Sequence, residues 1–226
     1  MDRFIIKTGD GSDTITIPEM NVSYHSKHGA IQESMHVFIE AGLRYWWGLN
    51  PERQSKDQSI NIFEMGFGTG LNAYLTAIEA VEKGIKVYYE AIEQFPLSKE
   101  EVGELNYTGL LNHESLFRGI HVCKWNEESI LNEYFTLTKS SGDLINYSTN
   151  QSFHIIYYDA FAPTAQPELW SEDIFRKLHS MLFEGGALVT YCSRGSVRRA
   201  MQAAGFVVDK IPGPPGKREM VRAIRT

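Results

Sequence analysis

Cysteine is nearly missing from this chain. Cys123 and Cys192 are the only two in 226 residues, and they form no C-x-x-C pair. That excludes a disulfide framework and a cysteine zinc site, and predicts reduced, packed thiols. The seven histidines show no metal-ligand spacing, so no metal is expected, and His25 and His28 read as surface or substrate-side residues. No apolar run approaches the ~20 residues that cross a bilayer, and the N-terminus lacks a basic-then-apolar leader. Both absences predict a cytoplasmic protein with no membrane partner. Repeats and low-complexity tracts are missing as well.

Acids that could offset the C-terminal cations are also few. From residue 194 onward stand Arg194, Arg198, Arg199, Lys210, Lys217, Arg218, Arg222 and Arg225, opposed only by Asp209 and Glu219, which is eight minus two, or +6. The whole chain carries −6, so the first 193 residues hold −12. A basic segment on an acidic chain reads either as the footprint of an anionic partner or as a helix face turned to water.

The hydrophobic fraction of 42% is enough for a large core, and the length suits one domain, or one domain with an elaboration. One glycine-dense stretch dominates: Phe63-Glu64-Met65-Gly66-Phe67-Gly68-Thr69-Gly70-Leu71-Asn72. A buried-strand pattern leads into it, and Leu71, Leu75, Ile78 and Val81 follow at helical spacing. The glycines therefore lie on a strand-to-helix turn, where bare backbone bends sharply and can approach a ligand. The G-x-G-x-x-G spacing of a dinucleotide site is absent. Glu64 would repel a pyrophosphate, whereas an acid suits a cationic, amino-bearing ligand such as S-adenosylmethionine (SAM). The plainer reading is a glycine turn that only packs helix on strand.

Periodicity predicts a β-hairpin from Phe4–Lys7 and Thr14–Ile17, a polar loop over 24–30, and a helix presenting Met35, Phe38, Ile39, Leu43 and Trp46. After the glycine turn come strands at 85–93, 134–138, 153–158 and 187–191, with residues 103–130 helical in pieces. Ser98 with Glu101 spells a capping box. A helix over 194–204 and an antiparallel strand pair around Pro212-Gly213-Pro214-Pro215-Gly216 close the chain. Alternating strands and helices define an α/β, doubly wound, mostly parallel sheet. Its ligand belongs outside the carboxyl ends of the strands, where Glu64, Glu93, Asp143 and Asp159 fall. Residues 1–57 read as a hairpin-and-helix extension packed on a SAM-binding domain of residues 58–226.

Several motifs together carry a resemblance. Glu64-Met65-Gly66-Phe67-Gly68-Thr69-Gly70-Leu71-Asn72, Glu93-Gln94-Phe95-Pro96-Leu97 and Asp159-Ala160-Phe161-Ala162-Pro163 stand beside Tyr24-x-Ser26, Gly29-x-x-x-Glu33, Pro167-Glu168-Leu169-Trp170 and Gly216-Lys217-Arg218-Glu219-Met220. From about residue 23 onward the chain resembles the bacterial tRNA 5-methylaminomethyl-2-thiouridine methyltransferases. Ala160 and Gln94 depart from that pattern, where a glycine and a lysine are common. The resemblance implies a Rossmann-like methyltransferase that uses SAM to methylate 5-aminomethyl-(2-thio)uridine at the tRNA wobble position. Because the chain ends soon after Lys217-Arg218-Glu219, it resembles the stand-alone methyltransferase, with a separate FAD-dependent oxidase as a candidate partner.

On this reading Gly66, Phe67, Gly68, Thr69, Gly70 and Asn72 approach the cofactor, with Glu64 near by. Glu93 takes the ribose diol with Gln94 beside it, and Asp143 takes the adenine amino group. Asp159 is the catalytic candidate, orienting the amine where cofactor and acceptor meet. Tyr24, Ser26, Glu33, Phe161, Pro163 and Trp170 are substrate-side candidates, with core packing the alternative for both aromatics. Arg194, Arg198, Lys217 and Arg218 are phosphate candidates. Other readings are a small-amine methyltransferase, a polyamine aminopropyltransferase, and a non-catalytic SAM- or RNA-binding module.

Overall fold

The structure, a computed structural model, describes residues 2–54 and 58–226. The chain opens with a three-stranded antiparallel sheet of β1 (Phe4–Lys7), β2 (Asp13–Ile17) and β3 (Val22–Ser23). A continuous helical run follows: α1 (Ala30–Ser34), a π-helical stretch Met35–Arg44, and α2 (Tyr45–Leu49), with α3 (Pro51–Gln54) after it. The wider π turn, a form common near functional sites, was not legible in the apolar spacing. At Gly42 this run lies against the main sheet so closely that a Cβ would sit 3.0 Å from the Tyr157 ring. The expected boundary at 57/58 abuts residues 55–57, which lie outside the described residues.

The main sheet has eight strands: β4 (Ile60–Met65), β5 (Val87–Glu93), β6 (Glu128–Asn132), β7 (Phe135–Ser141), β8 (Phe153–Tyr158), β9 (Leu182–Thr190), β10 (Phe206–Pro212) and β11 (Glu219–Arg225). Their order is 10-11-9-8-4-5-7-6. The five central strands run parallel, while β6, β10 and β11 are antiparallel to their neighbours. Helices α4 (Leu71–Lys83), α5 (Lys99–Glu104), α6 (Tyr107–Leu111), α7 (Glu114–Val122), α8 (Glu172–Met181) and α9 (Gly195–Ala203) connect them. Ser98 and Glu101 form the capping box that starts α5. The sequence missed β6, whose Glu128-Ser129-Ile130-Leu131-Asn132 is exposed on alternate residues and pairs as an edge strand. Local polarity hides such a strand, because its stability comes from β7 beside it.

Strand residues alternate between two cores, as a sheet covered on both faces requires. Ile155 and Tyr157 of β8 join the N-terminal helical run, α4 and α7, while Ile156 and Tyr158 join α8 and α9. Ile15 of the small sheet belongs to the first core, so the N-terminal segment shares the same buried interior. Both cysteines are free thiols.

Candidate active site

Four neighbouring parallel strands each deliver an acid at the same edge. Glu64 is the penultimate residue of β4, Glu93 ends β5, Asp143 follows β7 by two residues, and Asp159 follows β8 by one. The winding reverses between β4 and β8, which is where an open α/β sheet leaves a crevice. A cavity of about 390 Å³ opens there. Gly66, Phe67, Gly68, Thr69, Asn72, Glu93, Gln94, Asp143, Asp159 and Phe161 line it, and Ile17, Met20, Tyr24 and His25 form a wall from the N-terminal segment.

The turn after β4 is possible because Gly66, Gly68 and Gly70 all have positive φ (90°, 51° and 71°), a region that costs other residues strain. At Gly66 a Cβ would also lie 2.8 Å from the Asp159 carbonyl oxygen. The bare α-carbon thus lets the turn touch the loop that carries Asp159. Behind the turn, Phe67 meets Trp125 edge-on at 5.7 Å. Lys139, 1% exposed, donates to the Ile120 carbonyl at 2.8 Å and lies 4.9 Å from the Trp125 ring centre. Burial pushes its ammonium below the usual lysine range.

Glu93 is oriented by backbone. Its Oε2 accepts from the Gly68 N–H at 3.0 Å and its Oε1 from the Phe95 N–H at 2.8 Å. Each oxygen keeps a lone pair for a hydroxyl donor in the cavity. Asp143 accepts from the backbone and side-chain amides of Asn146, and these bonds hold its carboxyl below the usual range. Gln94 is exposed at the rim.

Asn72, in the first turn of α4, joins two acids. Its Nδ2 donates to Glu64 Oε1 and to Asp159 Oδ2, both at 2.9 Å. Glu64 is fully buried beneath the turn and does not line the cavity, unlike the expectation that placed it beside the cofactor. Burial first, then the charge of Asp159, raises its carboxyl well above the usual range, which favours the protonated form. The inward face of β4 accounts for this, since the turn itself covers Glu64. Asp159 is half-buried at the cavity. Burial and the charge of Glu33 raise its carboxyl to about 7, against the lowering effects of Asn72 and Lys217.

The substrate-side candidates divide. Tyr24 and Phe161 stack across the cavity mouth with ring centres 5.4 Å apart and planes within 4°. Burial pushes the Tyr24 hydroxyl up to about 12, so it stays protonated. Glu33 is buried, accepting from the Ser26 N–H at 2.6 Å and pairing with Lys217 Nζ at 2.5 Å. Trp170 is 6% exposed, and its indole N–H donates to the Phe161 carbonyl at 2.8 Å. It is therefore a core residue that holds the Phe161 loop and does not face substrate. Pro163 is half-buried in the following turn.

The basic tail divides too. Lys217 points inward to Glu33 and the Tyr191 ring, contrary to the expectation of a phosphate contact, because a buried carboxylate draws it in. Lys210 pairs with Glu219, Arg222 stacks on Tyr45, and Arg225 donates to the His179 carbonyl in the last turn of α8. Arg194, Arg199 and Arg218 are exposed, and Arg198 is half-buried.

Sequence reasoning put Tyr24 on the substrate side and His25 at the surface or substrate side, but missed Ile17 and Met20, which complete the N-terminal wall. His25 lines the cavity, and burial lowers its ring to about 4, leaving it neutral at pH 7. Among the described residues, no group of three or more His, Cys, Asp or Glu could hold a metal ion. No helix among them is long and apolar enough to cross a membrane.

The cavity fits SAM. Glu93 offers acceptors for a diol, Asp143 and Asp159 suit an amino group and a sulfonium, and Gly68 leaves open backbone at the turn. A family model described as S-adenosyl-L-methionine-dependent methyltransferase matches residues 126–226. Fold and site are in keeping with that description of residues 126–226. The chain is similar, more particularly, to the tRNA 5-methylaminomethyl-2-thiouridine biosynthesis bifunctional protein MnmC of Burkholderia mallei (strain SAVP1), at 31% identity covering 92% of this chain and 33% of that protein. The chain spans about a third of the length of the curated relatives it matches. Its fold is that of MNMC2 from Aquifex aeolicus (TM-score 0.82, 24% identity, covering 100% of this chain and 70% of that one). Spermidine synthase from Thermotoga maritima shares the fold more distantly (TM-score 0.54, 9% identity, covering 100% and 79%).

Proposed function

We propose that this protein methylates the primary amine of 5-aminomethyl-(2-thio)uridine at the tRNA wobble position, using SAM. The observation that carries the reading is Asp159, lining the switch-point cavity and held by Asn72 at 2.9 Å, in a chain similar to the bifunctional tRNA-modifying proteins over 92% of its length. SAM, when bound, supplies a methyl group activated by its sulfonium.

The chain's own residues do the rest. An alkyl ammonium must lose a proton before nitrogen can attack carbon, and a carboxylate near 7 accepts that proton far better than one near 4. Asp159 takes it and keeps the lone pair aimed. One N–C bond forms as one S–C bond breaks, and the product amine carries the positive charge. Asn72 fixes the Asp159 carboxylate, while Tyr24, Phe161 and the apolar wall of Ile17 and Met20 exclude water and restrict approach. Exposed Arg194, Arg199 and Arg218 contact tRNA phosphates. The amine precursor comes from an FAD-dependent oxidase, and the reaction takes place in the cytoplasm.

The test compares acceptors. Aminomethylated tRNA should be methylated with a kcat/KM at least a hundredfold above that of a free aminomethyl nucleoside or a polyamine. Equal use of a small amine would overturn the tRNA reading in favour of a small-amine enzyme.

A further inference from the structure

Lys217 was expected on the phosphate-binding surface, yet it turns to a buried carboxylate. Its Nζ pairs with Glu33 Oε1 at 2.5 Å and lies 4.0 Å from the centre of the Tyr191 ring. Glu33 is itself held by the Ser26 N–H. The Tyr191 hydroxyl donates to the Ala160 carbonyl at 2.9 Å, one residue from Asp159. A single ammonium thus joins the loop between β10 and β11, helix α1, the end of β9 and the loop after β8. A cation on a solvated loop gains little from such pairing, but one beside a buried carboxylate prevents an uncompensated charge. Its contact partners also determine what it can do there. Glu33 left unpaired would be a buried acid whose charge already acts on Asp159, and the two would oppose each other's ionisation.

We infer that Lys217 is a positioning residue, which neutralises Glu33, steadies the Asp159 loop through Tyr191, and keeps Asp159 able to ionise at neutral pH. The inference rests on the role given to Asp159 in the proposed reaction, but it concerns Asp159 in the resting protein and stands apart from the identity of the acceptor. Asn72 bonds Asp159, and the titratable and charged groups that act on it are Glu64 under the glycine turn, Tyr89 on β5, Tyr191 just after β9, Glu33 on α1 and Lys217 itself. Glu64 and Tyr89 are both pushed by burial towards their protonated forms, as is Tyr191. Glu33 and Lys217 are therefore the pair whose charge can be changed to move Asp159.

The experiment follows the Asp159 carboxyl carbon by NMR against pH, without substrate, in the full chain and in Lys217→Met, Lys217→Arg, Glu33→Gln and the double variant. Lys217→Met should raise the Asp159 midpoint by about one pH unit, and Lys217→Arg should restore it. Glu33→Gln should lower it, and the double variant should return towards wild type. The pH–rate profile of methyl transfer should move in parallel. An unchanged midpoint in both Lys217→Met and Glu33→Gln would overturn the inference. If Lys217→Met fails to fold, Glu33→Gln and the double variant decide it alone: no downward shift in the first, or no difference between them, overturns it. Shifted midpoints with no methylation of tRNA would uphold Lys217 and refute the tRNA acceptor.

Discussion

Asn72 stands 2.9 Å from Asp159 and holds it with the same amide nitrogen that it gives, at 2.9 Å, to the buried Glu64. One side chain thereby links the floor of the site to its reactive edge. Replacing Asn72 by Ala leaves both carboxyls without that donor in a low-dielectric setting. Stability should fall by about 1–3 kcal/mol, measured by denaturant unfolding, and kcat should fall at least tenfold. A normal kcat in a folded Asn72→Ala protein would show that Asp159 needs no such orientation.

Asp159 carries a cost in the free protein. Its native carboxyl is raised to about 7 from an ordinary value of 3.8, so the native state holds the proton more tightly than the unfolded chain. Stability from this group is therefore greatest below about pH 4, falls as pH rises towards 7, and is flat above. Asp159→Asn should be more stable than wild type at pH 8 by up to about 4 kcal/mol, equally stable near pH 4, and nearly inactive. Thermal unfolding at both pH values checks the sign. Wild-type kcat/KM should fall as pH drops below about 7.

Glu93 should act on cofactor affinity. Glu93→Ala removes the acceptor for the Gly68 and Phe95 amides and for the ribose hydroxyls together. Calorimetry should show SAM binding weakened by ten- to a hundredfold, about 1.4–2.7 kcal/mol, with the fold intact. Unchanged affinity would remove Glu93 from the cofactor site.

The Tyr24–Phe161 stack should act on the acceptor. Tyr24→Ala exposes one face of the Phe161 ring at the cavity mouth, and aromatic contacts of this kind are worth about 1 kcal/mol or more. KM for tRNA should rise severalfold, with a smaller change in SAM affinity, and Tyr24→Phe should restore it. A selective loss of SAM binding would move Tyr24 to the cofactor side.

Arg194 and Arg218 are exposed and should act through counterion release. Changing both to Ala should weaken tRNA binding and flatten its dependence on salt, while leaving SAM binding unaltered. An unchanged salt slope would make this part of the tail a solvated face.

Much of the site was legible because it is local. A strand pattern, three glycines on alternate residues and a helix pattern specify one turn, and acids after three further strands then fall on one edge by sheet topology alone. What remained hidden depends on distant partners. Lys217 and Glu33 are 184 residues apart, and nothing around Lys217 distinguishes an inward lysine from one facing a phosphate. Glu64 looked like a cavity acid because its spacing does not reveal that the turn covers it. Trp170 and Phe161 are equally apolar in sequence, and only the indole hydrogen bond shows which one supports the other. The N-terminal sheet read as an appendage because a hairpin's wall-forming face is defined by the pocket it closes.

The most direct measurement incubates the protein with methyl-labelled SAM and tRNA from cells lacking this enzyme, then digests the tRNA and resolves its nucleosides. The account predicts label in 5-methylaminomethyl-(2-thio)uridine at the wobble position, lost when Asp159 is replaced by Asn. Label elsewhere in the tRNA, or label at the wobble position that survives Asp159→Asn, would contradict it.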